Sequence, residues 1–170
     1  MKKLLVLLLG IFIMLNSFAQ YSDTTVVQRK HEFGIQAGST TGVGFSFRYW
    51  PNKFGLQFTM LPVKTDQETY FNVGLTGLYS FYSSRNTRFF GYLGNNYVVD
   101  NYTTSNYDYQ SGKTINTGPS NNKKYNIGFG PGFGFGSRVR FNLMVGYGFY
   151  DIFGKFEIYP AGEIGLYFRY

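Results

Sequence analysis

The sequence predicts an all-β protein: eight antiparallel strands closed up-and-down into a transmembrane barrel whose outer face meets lipid. Three observations carry that prediction. Apolar residues recur at every second position in segment after segment, the period at which strand side chains share a face. Aromatic residues make up 21% of the 170 residues and glycines number 22, which suits strands and turns better than helices. The chain ends Ile164-Gly165-Leu166-Tyr167-Phe168-Arg169-Tyr170. That alternation puts Ile164, Leu166, Phe168 and Tyr170 on one wholly apolar face, as a barrel wall in lipid requires.

The first element is a leader. Lys2 and Lys3 precede an apolar run from Leu4 to Leu15, and Ser17-Phe18-Ala19 offers the small residues a signal peptidase reads. The expected organisation is a cleavable signal peptide over 1–19, a short periplasmic segment over 20–30 and the barrel over 31–170. The leader run is shorter than the roughly 20 residues of a spanning helix, and no later segment is continuously apolar enough to be one. Membrane residence then demands a closed barrel, because every backbone N–H and C=O in lipid needs an internal partner. The chain has no cysteine, which excludes disulfides, thiolate metal sites and a catalytic thiol.

Eight alternating segments follow, separated by polar turns. The first runs from Glu32 to Gly38 with Phe33, Ile35 and Ala37 outward. After Ser39-Thr40-Thr41-Gly42 come Val43, Phe45, Phe47 and Tyr49, and Pro51-Asn52-Lys53 stops that strand. Phe54, Leu56, Phe58 and Met60 mark the third. The fourth places Phe71, Val73, Leu75, Tyr79 and Phe81 outside. The fifth, about Thr87 to Val98, carries aromatic residues on both parities, so its facing stays open. A polar stretch from Val99 to Asn122 reads as a long outer loop. The sixth sets Tyr125, Ile127, Phe129, Phe133 and Phe135 against glycines from Gly128 to Gly136 on the other face, with a bulge expected at Pro131. Those glycines leave room for long side chains opposite, such as Arg138, Arg140, Tyr167 and Arg169. Val139 to Phe149 forms the seventh, and the C-terminal segment the eighth. An even strand count puts both barrel ends of the chain on one side, the side of the short turns.

On this strand pattern and the Ile164-Leu166-Phe168-Tyr170 ending, residues 30–170 resemble the small eight-stranded outer-membrane barrel family, of the OmpA transmembrane-domain and OmpX kind. The resemblance implies residence in the outer membrane of a Gram-negative bacterium. It also implies that the barrel-assembly machinery reads the terminal aromatic strand, with Tyr170 in the position read. Gly162 departs from the apolar or aromatic residue common near that point in the family.

The formal charge of +7 falls to +5 without Lys2 and Lys3. Glu32, Arg48, Arg138, Arg140, Glu163 and Arg169 share the parity of lumen-facing positions, so an internal ion-pair network closing the lumen is expected. An anion-binding mouth is the alternative reading of the same arginines. Nucleic acid is not an expected partner, since the bases are split between barrel ends with no groove-reading motif. Outer-membrane lipids and an unknown extracellular ligand are, and the barrel is expected to be monomeric. Within the 99–122 stretch, Tyr102, Tyr107, Tyr109 and Lys113 combine rigid aromatics with adaptable polar neighbours, the chemistry of a binding loop.

No constellation points to catalysis or to a cofactor. His31 is the only histidine, and its neighbour Glu32 faces the other way along a strand. The glycine run alternates with bulky residues and opens no helix, so it is no phosphate loop. The expected function is structural or surface-interacting, with a packed lumen. Transport of a small or apolar solute is the alternative, and a lipid-modifying enzyme a more distant one.

Overall fold

The computed structural model describes residues 29–65, 68–108 and 113–170, with side chains over 29–65, 69–101 and 121–170. The leader and most of the segment before the barrel lie outside these residues. Eight strands form a closed antiparallel barrel in chain order: β1 (His31–Gly38), β2 (Gly44–Tyr49), β3 (Phe54–Lys64), β4 (Glu68–Ser83), β5 (Thr87–Asp108), β6 (Lys113–Phe135), β7 (Val139–Tyr150) and β8 (Glu157–Arg169). Closure comes from β1 against β8, in a register running from Glu32↔Arg169 to Gly38↔Glu163. No strand edge remains open among the described residues.

The wall is inverted relative to a water-soluble protein. Phe33, Ile35, Phe45, Leu56, Leu75, Leu93, Phe129, Leu143, Ile164 and Leu166 are exposed on the outer face. Glu32, Gln36, Ser46, Arg48, Gln57, Thr59, Asn72, Thr76, Arg140 and Asn142 are buried inside. The period-two alternation sorts the two sets to opposite faces of one sheet. In β5 the facing left open by the sequence resolves with Arg88, Phe90, Tyr92 and Asn96 inward.

The polar stretch from 99 to 122 is not a loop. The β5–β6 ladder continues through it, from Val99↔Lys123 to Asp108↔Lys113, with one irregularity between Tyr102 and Thr104. β5 and β6 are 22 and 23 residues long, whereas a strand needs about 9–11 to cross a bilayer. Their far halves stand out as a two-stranded ribbon, away from the short turns. Tyr102, Tyr107 and Lys113 are therefore strand residues, and Tyr109 lies outside the described residues. Pro131 causes no bulge either. The β6–β7 pairing lapses between Phe129↔Tyr147 and Gly132↔Met144 and resumes in the same register. The missing N–H costs ladder bonds without adding a residue.

The connection between β1 and β2 positions the interior. Ser39 to Val43 bends into the barrel instead of projecting from it, and Thr40 and Thr41 are fully buried. Gly42 (φ 96°) and Gly44 (φ 128°) supply the positive φ angles of this inward fold.

Candidate functional site

The lumen is filled in three tiers. Nearest the short turns, Glu32 is a hub for arginines. Its Oε1 lies 3.3 Å from Arg169 Nε, 3.4 Å from Arg88 Nη1 and 3.6 Å from Arg140 Nη1. Arg169 also donates to the carbonyls of Ser137 (3.0 Å) and Arg85 (3.3 Å). Trp50 folds in from the β2–β3 turn, and the Arg88 guanidinium lies 4.0 Å above its ring. Gly55 opens the space the indole occupies, since a Cβ there would approach Trp50 Cε3 to 2.6 Å.

The middle tier is built around Arg48. Its guanidinium stacks 4.1 Å over the Tyr167 ring and 5.6 Å from Phe90. Arg48 donates to Gln57 Oε1 (2.6 Å) and Gln36 Oε1 (3.2 Å). The Tyr167 hydroxyl donates to Gln36 and lies 2.9 Å from Ser46 Oγ. Among the described residues Arg48 thus makes hydrogen bonds and ring contacts rather than an ion pair.

The far tier is the inward turn, hung on Glu163. The Glu163 carboxylate accepts hydrogen bonds from the Thr40 hydroxyl, the Thr41 hydroxyl, the Thr40 backbone N–H (3.3 Å) and Gln36 Nε2 (3.3 Å). Asn126 Nδ2 donates to the Ser39 carbonyl (3.1 Å), and Asn72 Oδ1 accepts from Val43 N–H (3.1 Å). Four wall glycines receive the turn. A Cβ on Gly74, Gly94, Gly128 or Gly148 would meet Thr40 or Thr41 atoms at 2.0–2.7 Å. The plug therefore takes the upper part of the glycine space, ahead of the long side chains the sequence suggested. Lower down, Gly132 makes room for Phe90 and Met144.

Several expected positions change. Arg138 is exposed on the β6–β7 turn and not in the lumen, because the strand resumes only at Val139. Glu163 lies inside but outside the arginine hub. It stands six residues from Arg169 along β8, about 20 Å at strand rise. Arg88, absent from the expected network, is a full member of it. Its neighbours Phe89 and Phe90 hid its facing, and only the register with β6 settles it. His31 lies on the rim, with ring centroids 4.9 Å from Tyr49 and 5.7 Å from Tyr170. Ile164, Leu166 and Phe168 share the exposed outer face of β8, and Tyr170, also exposed, follows its last residue.

The plug makes a direct prediction. Gly128→Ala should displace Thr40 and cost about 1–3 kcal/mol, the range for overpacking a filled core. Chemical unfolding in micelles reads the loss. Adding Thr40→Gly should recover most of it; a double variant as unstable as the single would show that the plug does not set the strain.

Above the plug lies an open basin of about 540 Å³, bordered by Tyr70, Asn96, Lys124, Tyr150, Asp151 and Glu157. Outside the wall, an apolar cleft of about 780 Å³ runs over Gly77 and Gly91 between Leu56, Tyr79, Leu93 and Phe129. Among the described residues no group of His, Asp or Glu side chains is arranged to hold a metal.

No protein-family model matches the sequence, and no characterised protein matches it. Two solved structures are similar. The N-terminal β-barrel domain of Pseudomonas aeruginosa OprF aligns over 83% of this chain and 96% of its own, with 15% identity and a TM-score of 0.47. Neisserial surface protein A aligns over 82% of this chain and 92% of its own, with 15% identity and a TM-score of 0.35.

Proposed function

We propose that this protein is a closed outer-membrane barrel with a structural or surface-interaction role, not a pore. One observation carries the reading: an outer wall apolar around the barrel encloses a lumen filled from the arginine hub to the plug, by buried polar side chains and the cluster of Trp50, Leu78, Phe90, Tyr92 and Met144. Lipid is the medium in which that inversion is stable, since every strand is paired on both sides around the closed ring and apolar side chains face out. The outer membrane, with both barrel termini periplasmic, is the address that fits an even-stranded barrel and the leader pattern. The β5–β6 ribbon then stands outside the cell, and recognition is assigned to it and to the basin at its foot. A ring with no free edge works as a monomer. The exposed aromatic end of β8 is the segment offered to the assembly machinery. Nothing in the reading calls for catalysis: His31 is held between two tyrosines on the rim.

The test is electrical. Purified protein in planar bilayers should insert and give no steady porin-like conductance. Large, reproducible channels would overturn the closed lumen and favour solute transport.

A further inference from the structure

The ends of the barrel differ in charge. At the end of the short turns, each turn carries one exposed base: Lys53 between β2 and β3, Arg85 between β4 and β5, and Arg138 between β6 and β7. The fourth point of the ring, where β8 meets β1, carries Arg29 and the exposed Lys30. Arg29 donates to the Arg169 carbonyl, 3.2 Å away, and is thereby tied to that rim. Cations therefore recur after every second strand around the whole circumference. None forms a salt bridge among the described residues, and Glu32 is the one side-chain carboxylate at that end among them. Glu32 is already shared by three arginines, so the interior adds positive field to the rim.

Just above this ring, on the outer face, lies a belt of aromatic contacts. Phe54 meets Tyr79 at 4.9 Å, Tyr79 meets Phe81 at 5.3 Å, Phe135 meets Phe141 at 5.2 Å, and His31 bridges Tyr49 and Tyr170. Aromatic belts settle at the headgroup level of a bilayer, which puts the ring of bases at the phosphates. At the other end, bases and acids mix, and Lys155 pairs with Glu157 at 2.8 Å.

We propose that the short-turn end is a cationic collar that binds the headgroups of anionic glycerophospholipids in the adjacent leaflet. The inference rests on the barrel being lipid-embedded. A ring spaced around the perimeter fits many small anions lying in one plane. A single large anion would call for one concentrated patch.

The experiment uses full-length protein in vesicles and nanodiscs of phosphatidylcholine, with and without phosphatidylglycerol, and scores the lipid retained on extraction by native mass spectrometry. Phosphatidylglycerol should be retained over phosphatidylcholine by about tenfold, the gain from one or two bases per headgroup. The preference should weaken in high salt. The variant Lys30→Gln/Lys53→Gln/Arg85→Gln/Arg138→Gln should lose it while keeping its barrel circular dichroism. If that variant does not fold, Arg85→Gln and Arg138→Gln singly should each lower retention. Equal retention of both lipids by the wild type overturns the proposal, as does a preference that survives neutralisation. Inorganic polyphosphate binding the collar without any lipid preference would assign it to a soluble polyanion and overturn it too. Failure to insert into any vesicle would instead refute the barrel reading itself, so the two failures are distinct.

Discussion

Glu32→Ala should be the most damaging single substitution in the barrel, lowering stability by about 3–5 kcal/mol, the cost of breaking a buried ion pair. The reason is the ratio around the carboxylate. Arg88, Arg140 and Arg169 all turn to Glu32 Oε1, and all are buried or nearly so. Without the carboxylate, three guanidiniums face one another away from bulk water. Urea unfolding in micelles, followed by tryptophan fluorescence, reads the loss conveniently, because Trp50 is the only tryptophan and stacks on Arg88. Arg140→Met should restore part of the stability of Glu32→Ala, by removing one uncompensated charge. A Glu32→Ala protein with the wild-type midpoint would mean that water or another anion carries the hub, and the network as described would be wrong.

Glu163→Ala should act differently, by freeing the plug. The carboxylate holds Thr40, Thr41 and Gln36, and hydrogen bonds to a charged group contribute about 1.5–3 kcal/mol. The wall around the turn is glycine, so nothing else of comparable strength grips it from that side. The turn should leave the lumen for part of the time while the ladder stays intact. Two measurements check this. Planar bilayers should show intermittent conductance absent from the wild type. A cysteine placed at Thr40, the sole thiol in the chain, should react with a water-soluble maleimide in the Glu163→Ala background and be protected without it. Glu163→Gln keeps an acceptor and should fall between the two. Equal protection in all three proteins would show that the asparagines at its two ends, Asn72 and Asn126, hold the turn unaided.

These two acids illustrate how far linear reading reaches. Parity along β1 and β8 places both Glu32 and Glu163 inside the barrel, because successive strand side chains take opposite faces. Parity says nothing of height. Only the closure register, which sets Glu32 beside Arg169 and Glu163 beside Gly38, separates the two carboxylates and gives each its own partners. The same register makes Thr40 and Thr41, two turn residues with no apolar signal, the nearest donors to Glu163.

The strand count, the outward face of nearly every strand and the glycine-lined interior were determined by the sequence itself, through a period of two that lipid outside and polar packing inside impose on each wall segment. The β5–β6 ribbon escaped that logic because it is polar on both faces: its pairing comes from ladder hydrogen bonds, which leave no hydrophobic pattern. The plug escaped because inward folding of a turn depends on space across the barrel, contributed by Gly74, Gly94, Gly128 and Gly148 on four different strands. Which interior side chains meet, and which end of the lumen each occupies, was decided by tertiary structure alone. Such contacts join residues far apart in the chain, and they exist only once β8 has closed on β1.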